Sequence, residues 1–154
     1  MTDRMPDPMI RRAKYADISA MIRLLRILFS IESDFSFQEE TQKRGLEMML
    51  ADRKNRCVMV AELNDQIVGM CTAQLLVSTA EGGIAALVED LVVDDTYRGK
   101  GIGKDLLFAI EGWAISQGVR RLQLLADRNN TRAFGFYKKM NWKVTELICL
   151  RTHV

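Results

Sequence analysis

Apolar positions change their spacing several times along the chain, and each change marks a predicted element. Ile10–Lys14 reads as a short first strand. From Asp17 onward the period becomes helical, because Ile18, Met21, Ile22, Leu25, Leu28 and Phe29 recur at three- and four-residue intervals. Asp17 is a suitable N-cap for that helix. A second helix is predicted from Gln38 to about Leu50, with Leu46, Met49 and Leu50 as its apolar stripe.

The middle of the chain is strand-like. Cys57–Glu62 and Ile67–Val77 are joined by Asn64-Asp65-Gln66, a hairpin signal, and Gly82-Gly83 marks the turn into a long strand, Ile84–Val93. A helix follows from about Lys104 to Gln117, with Leu106, Leu107, Ile110 and Trp113 on one face and Gly118 as its stop. Arg121–Ala126 then reads as a strand, Thr131–Met140 as a helix and Lys143–Arg151 as a last strand. The alternation predicts a mixed α/β (α+β) domain: a central, mostly antiparallel mixed sheet flanked by about four helices.

Composition narrows the chemistry. The 154 residues are 48% hydrophobic and 27% charged, which suits one globular domain over residues 9–154. Residues 1–8 hold both prolines, Pro6 and Pro8, and read as a flexible N-terminal extension. Cys57, Cys71 and Cys149 are odd in number and form no C-x-x-C pair, which speaks against a disulfide framework or zinc ribbon and for a cytoplasmic location. The single histidine, His153, lies next to the C-terminus. Ser-His-Asp, Cys-His and His-ligated metal chemistry are therefore not expected, and no metal is expected at all. The net charge of +2 predicts neither a nucleic-acid nor a membrane surface. No apolar run approaches the ~20 residues that span a bilayer, and the first residues lack the apolar core of a signal peptide.

The most informative stretch runs from Leu91-Val92-Val93 through Asp94-Asp95-Thr96-Tyr97 to Arg98-Gly99-Lys100-Gly101-Ile102-Gly103-Lys104. A strand passes into three alternating glycines and then into a helix. Glycine permits positive φ and close approach of a ligand to the backbone. The free N–H groups and dipole at a helix start favour phosphate, and Arg98, Lys100 and Lys104 add positive charge. The loop thus reads as a pyrophosphate cradle, with a ligand-free glycine turn as the plainer alternative. It is neither a P-loop nor a dinucleotide fingerprint. Arg98 and Asp105 occupy positions where the first requires glycine and Ser/Thr, and Lys104 stands where the second requires its third glycine.

Arg98-Gly99-Lys100-Gly101-Ile102-Gly103 resembles the [R/Q]-x-x-G-x-[G/A] signature of the GNAT superfamily of N-acetyltransferases. Asn130, Ala133 and Tyr137, followed by Lys138-Lys139-Met140-Asn141-Trp142, are similar to the superfamily's N-x-x-A-x-x-x-Y-x-K-x-G-F segment. Asn141 replaces the usual glycine and Trp142 the usual phenylalanine. Asn tolerates a left-handed C-cap and Trp keeps an aromatic plug. Gly135, inside this helix, costs roughly 1 kcal/mol relative to alanine.

The resemblance implies acetyl-CoA as donor, coenzyme A as product and a GNAT-like fold. It implies that Leu91, Val92 and Val93 hold the pantetheine arm through their backbone. Arg98, Gly99, Lys100, Gly101, Ile102, Gly103 and Lys104 would hold the pyrophosphate, and Asn130 and Ala133 would contact the cofactor. Tyr137 matches the position that often protonates the leaving thiolate, against the alternative of a packed ring beside Phe134 and Phe136. Glu89 is the candidate base, with Asp90 as competitor on the opposite face of a regular strand unless a bulge resets the register.

The acceptor is expected to be a small-molecule or protein amine. Its candidate contacts are Glu32, Asp34 and Phe35 in the connection between the first two helices. A homodimer is also compatible with the resemblance. Two other readings remain open: a non-catalytic acetyl-CoA-binding regulatory module, and toxin-type acetylation of an RNA-borne amine, against which the near-neutral charge speaks.

Overall fold

A computed structural model describes residues 6–32 and 34–154. The elements run β1 (Met9–Arg12), α1 (Ile18–Ile31), α2 (Glu39–Ala51), β2 (Arg56–Leu63), β3 (Gln66–Ser78), β4 (Gly83–Val93), α3 (Ile102–Ser116), β5 (Arg121–Leu124) and α4 (Thr131–Lys139). Short 3₁₀ turns at Tyr15–Asp17 and Asp95–Tyr97 precede α1 and the glycine loop. The class is mixed α/β, as the apolar spacing predicts. The chain divides into two compact units, one ending at Leu124 and the other spanning Leu125–Val154. The expected extension lies partly outside the described residues, and Pro6, Asp7 and Pro8 form no regular element.

The first unit is built on one sheet in the order β1-β2-β3-β4-β5. The first three pairings are antiparallel and β4–β5 is parallel. Asn64 and Asp65 form the β2–β3 turn with φ of 50° and 61°, the left-handed pair that a two-residue hairpin loop requires. Helices α1 and α2 bury Met21, Leu24, Leu25, Leu28, Leu46 and Leu50 against Val58, Val60, Met70 and Val92. Gly69 precedes Met70 in β3 and so faces the other side of the sheet. A Cβ there would stand 3.0 Å from Leu106 Cδ1 and 3.4 Å from Ile102 Cγ2, so the missing side chain lets α3 lie close on that face. Gly118, at φ 79°, ends α3 as predicted.

Two local expectations are corrected. Asp17 occupies the N-cap position of α1 but makes no capping bond. Its carboxylate instead accepts from the Arg11 guanidinium at 2.8 and 3.0 Å and from the Lys14 N–H at 2.8 Å. A two-pronged, charge-assisted bond outcompetes a single neutral cap. The second correction concerns Lys143–Arg151, which forms no strand. Val144, Leu147, Ile148 and Leu150 are exposed. The adjacent apolar pair Leu147-Ile148 breaks the alternation, and a strand exists only where a ladder partner takes up its backbone groups. Among the described residues no helix is long and apolar enough to cross a membrane.

Candidate active site

Strand β4 is regular where Val88 faces Ala73 and Glu89 faces Thr72, and regular again at Val92–Met70 and Val93–Gly69. Between these pairs two residues, Asp90 and Leu91, stand against the single residue Cys71. This is a β-bulge, a feature that re-aims side chains and concentrates near functional sites. Asp90 takes φ 53°, a left-handed conformation that Asp tolerates better than most residues. The backbone beside it is pinned, since Thr72 Oγ1 donates to the Glu89 carbonyl at 3.1 Å and Cys71 Sγ approaches the same oxygen at 3.9 Å.

Three carboxylates meet at this bulge. Glu32, half-buried, closes α1 with its N–H on the Leu28 carbonyl at 3.0 Å. Asp90 is half-buried, and burial, followed by the charges of Glu89 and Glu32, pushes its carboxyl up to about 7. Glu89 keeps solvent contact, yet partial desolvation raises its carboxyl too. The Cys71 thiol is raised by its own burial and then by Asp90. Asp34 and Phe35 are exposed, and the Phe35 ring lies 5.6 Å from that of Phe29.

The parallel β4–β5 ladder runs only from Ala85–Arg121 to Val88–Leu124, so residues 89–93 are not paired to β5. At the end of β4, Arg98 donates through Nε to the Val93 carbonyl at 3.2 Å and forms an ion pair with Asp95 at 2.8 Å. It therefore braces the loop. Gly99 and Gly101 have φ of 77° and 82°, and a Cβ at either would meet nothing within 4 Å. Their requirement is conformational, and the space in front of them is open. Helix α3 begins at Ile102, two residues earlier than predicted, so Gly103 and Lys104 fall in its first turn. Its N-cap residue, Gly101, has no side chain with which to cap it. As at any helix start, its first N–H groups lack intrahelical partners, and Lys100 and Lys104 stand exposed nearby, 5.7 Å and 5.6 Å from the ring centroids of Tyr97 and Phe108.

In the second unit the Asn130–Ala133 spacing has a structural cause: Asn130 Oδ1 accepts the Ala133 N–H at 3.1 Å and caps α4. Tyr137 is half-buried, with its ring 5.2 Å from Phe136 and 5.9 Å from Trp142. Asn141 takes φ 68°, the left-handed stop expected of a residue standing for glycine. A Cβ on Gly135 would meet nothing within 4 Å, so no contact with another described residue accounts for that glycine.

The model of the acetyltransferase (GNAT) family matches residues 20–142. The chain belongs to this family. An aminoglycoside N(6')-acetyltransferase type 1 from Stenotrophomonas maltophilia is 25% identical over 92% of this chain and 90% of its own length. A glucosamine 6-phosphate N-acetyltransferase from Trypanosoma brucei brucei is 28% identical over 95% of each chain. The crystal structure of a possible acetyltransferase from Clostridium difficile 630 superposes with a TM-score of 0.84 at 19% identity, covering 97% of this chain and 99% of that one, and shows the shared fold.

Within this GNAT chain the structure brings Glu32, Glu89 and Asp90 to one place and leaves Asp34 and Phe35 exposed. Sequence reasoning did not single out Thr72 and Cys71, which hold the Glu89 carbonyl, or Gly69, which admits α3. A glycine inside a strand pattern was the available signal for the last of these. Thr72 and Cys71 become visible only once the β3–β4 register is known.

Proposed function

We propose that this GNAT protein is an acetyl-CoA-dependent N-acetyltransferase acting on a primary amine. The observation that carries the reading is the passage from β4 into α3: left-handed Gly99 and Gly101 open onto free space, followed by a helix start with glycine at its N-cap, beside Lys100 and Lys104. Such an end suits a pyrophosphate, and these residues fit the role of holding one. When bound, acetyl-CoA supplies an acyl carbon activated as a thioester. The backbone of Leu91, Val92 and Val93, on a stretch that β5 leaves unpaired, suits an extended amide-bearing arm. Arg98 orders the loop, while Asn130 and Ala133 set the start of α4. A carboxylate of the Glu89–Asp90 pair takes the amine proton, and Tyr137 is the candidate donor to the leaving sulfur, since a phenol titrates near 10, close to a thiol at ~8.5.

The relatives named for aminoglycosides and glucosamine 6-phosphate make amino sugars the first acceptor class to try. The test is coenzyme A thiol release with acetyl-CoA and an amine panel that includes amino sugars, polyamines, peptide N-termini and an amine-bearing RNA. Amine-dependent release on a small amine is expected. Binding of acetyl-CoA without release on any amine would overturn the reading in favour of a sensing module. Tyr137→Phe is expected to lower kcat about 100-fold with acetyl-CoA binding unchanged. Unchanged turnover in that variant would remove Tyr137 from the mechanism.

A further inference from the structure

We propose that the solvent-facing side of α4 is a docking surface for an acidic segment of a partner protein, held by Arg132, Lys138 and Lys139 around the bare backbone of Gly135. At about 100° per residue these four positions share one arc of roughly 120°. All four are exposed. The other side of the helix carries Ala133, Phe134, Phe136, Tyr137 and Met140, each half-buried, so α4 separates its charges from its apolar groups. From Arg128 to Thr145 the chain has no acidic residue. None of the three cations forms an ion pair with another described residue.

Two of the four positions break a local rule. Lys138 and Lys139 lie in the last turn, where the helix dipole favours cations, and need no further cause. Arg132 is different: it is the second residue of the helix, where the same dipole disfavours a positive charge. Gly135 stands mid-helix, where glycine is less stable than alanine, and a Cβ there would meet nothing within 4 Å. Nothing among the described residues offsets either choice. Two such departures on one exposed face mark a surface kept for a group outside the fold.

The chemistry of the face selects its occupant. Cations without counter-charges attract carboxylates or phosphates, and Arg132 can hold a carboxylate through two parallel hydrogen bonds. The missing side chain at Gly135 lets an extended backbone lie close against the helix. Nucleic acid fits less well. The arc has no aromatic ring on which a base could stack, and its cations span only about 10 Å of helix axis. The net charge of +2 gives the chain no field that would gather a polyanion. A short acidic peptide segment needs neither the rings nor the long field.

The experiment is fluorescence anisotropy of labelled decaglutamate on the full-length protein, without and with excess coenzyme A, beside labelled decauridylate. Wild type is expected to bind decaglutamate, more weakly as salt rises, and to prefer it to decauridylate. Arg132→Ala/Lys138→Ala/Lys139→Ala is expected to bind it about 10-fold more weakly, the combined effect of three exposed charge pairs. Gly135→Gln is the decisive variant. It should melt at a higher temperature than wild type, because glutamine is the better helix former. It should nevertheless bind decaglutamate several-fold more weakly, because its side chain fills the strip. A glycine that served only the fold would lose stability on replacement. A lower melting temperature in Gly135→Gln, unchanged peptide binding in either variant, displacement of the peptide by coenzyme A, or tighter binding of decauridylate overturns the proposal. The acetyl-transfer reading is tested separately, by coenzyme A thiol release, and does not depend on any of these results.

Discussion

Two groups of carboxylates in the first unit sit in opposite electrostatic settings. Near the start of the sheet, Arg11 stands between Asp17 and Glu62, at 2.8 and 3.0 Å. Its hydrogen bond holds the Asp17 carboxyl below the ordinary range, more than offsetting the opposing effect of burial. At the β4 bulge, burial and two like charges lift Asp90 to about 7. Both places desolvate an aspartate; among the described residues only the first supplies a cation. With the cation, Asp17 ties the start of α1 to β1, Glu62 ties β2 to β1, and both charges serve the fold. Without it, the carboxylate is left with a proton affinity near neutral, which is of use to a reaction and a burden to stability.

Removing the shared cation breaks the contrast most sharply. Arg11→Ala leaves Asp17 and Glu62 uncompensated and is expected to cost about 3 kcal/mol, read by urea unfolding at neutral pH. Asp17 is depressed from 3.8 in the folded protein. Its stabilising contribution is therefore present above that value and lost as the pH falls through the folded one, so the deficit of the variant should shrink in acid.

Asp90→Asn should act in the opposite direction. The folded protein binds the Asp90 proton more tightly than the unfolded chain does, so ionisation costs stability as the pH rises from 3.8 to about 7. The variant is expected to be more stable than wild type by about 2 kcal/mol at pH 8 and no different at pH 3, by thermal melts at both values. Equal melting at pH 8 would mean that the bulge does not penalise the charge. Glu32→Gln removes one of the two like charges and should raise stability at pH 8 by less than about 1 kcal/mol.

A third region, the cationic loop, gives the smallest effect. Replacing Lys100 and Lys104 together by alanine removes two exposed charges worth less than ~1 kcal/mol each. The KM for acetyl-CoA should rise several-fold, with a weaker salt dependence and an unchanged melting temperature.

What was legible in the chain was local. Asn64-Asp65 predicts the hairpin because both residues tolerate the left-handed pair that the turn demands, and Gly118 and Asn141 end their helices for the same reason. The glycine loop and the Asn130-to-Trp142 segment carry the family resemblance, and the family match bears it out. Arg98 shows the limit of that reading. Its charge belongs to the predicted cradle, but its guanidinium is engaged by Val93 and Asp95. Asp17 shows another: a good capping residue is claimed instead by Arg11, which reaches it from β1.

The sequence by itself determined the element order as far as α4, the turn positions and the family, because these rest on side-chain spacing and on backbone preferences that act within a few residues. Tertiary structure alone decided three further points. It placed the bulge at Asp90, through the register of β4 on β3. It brought Glu32 to that bulge from the end of α1, and it left Lys143–Arg151 without a ladder. Each depends on which distant backbone or charge arrives alongside, and a pattern read along one strand carries no information about its neighbours.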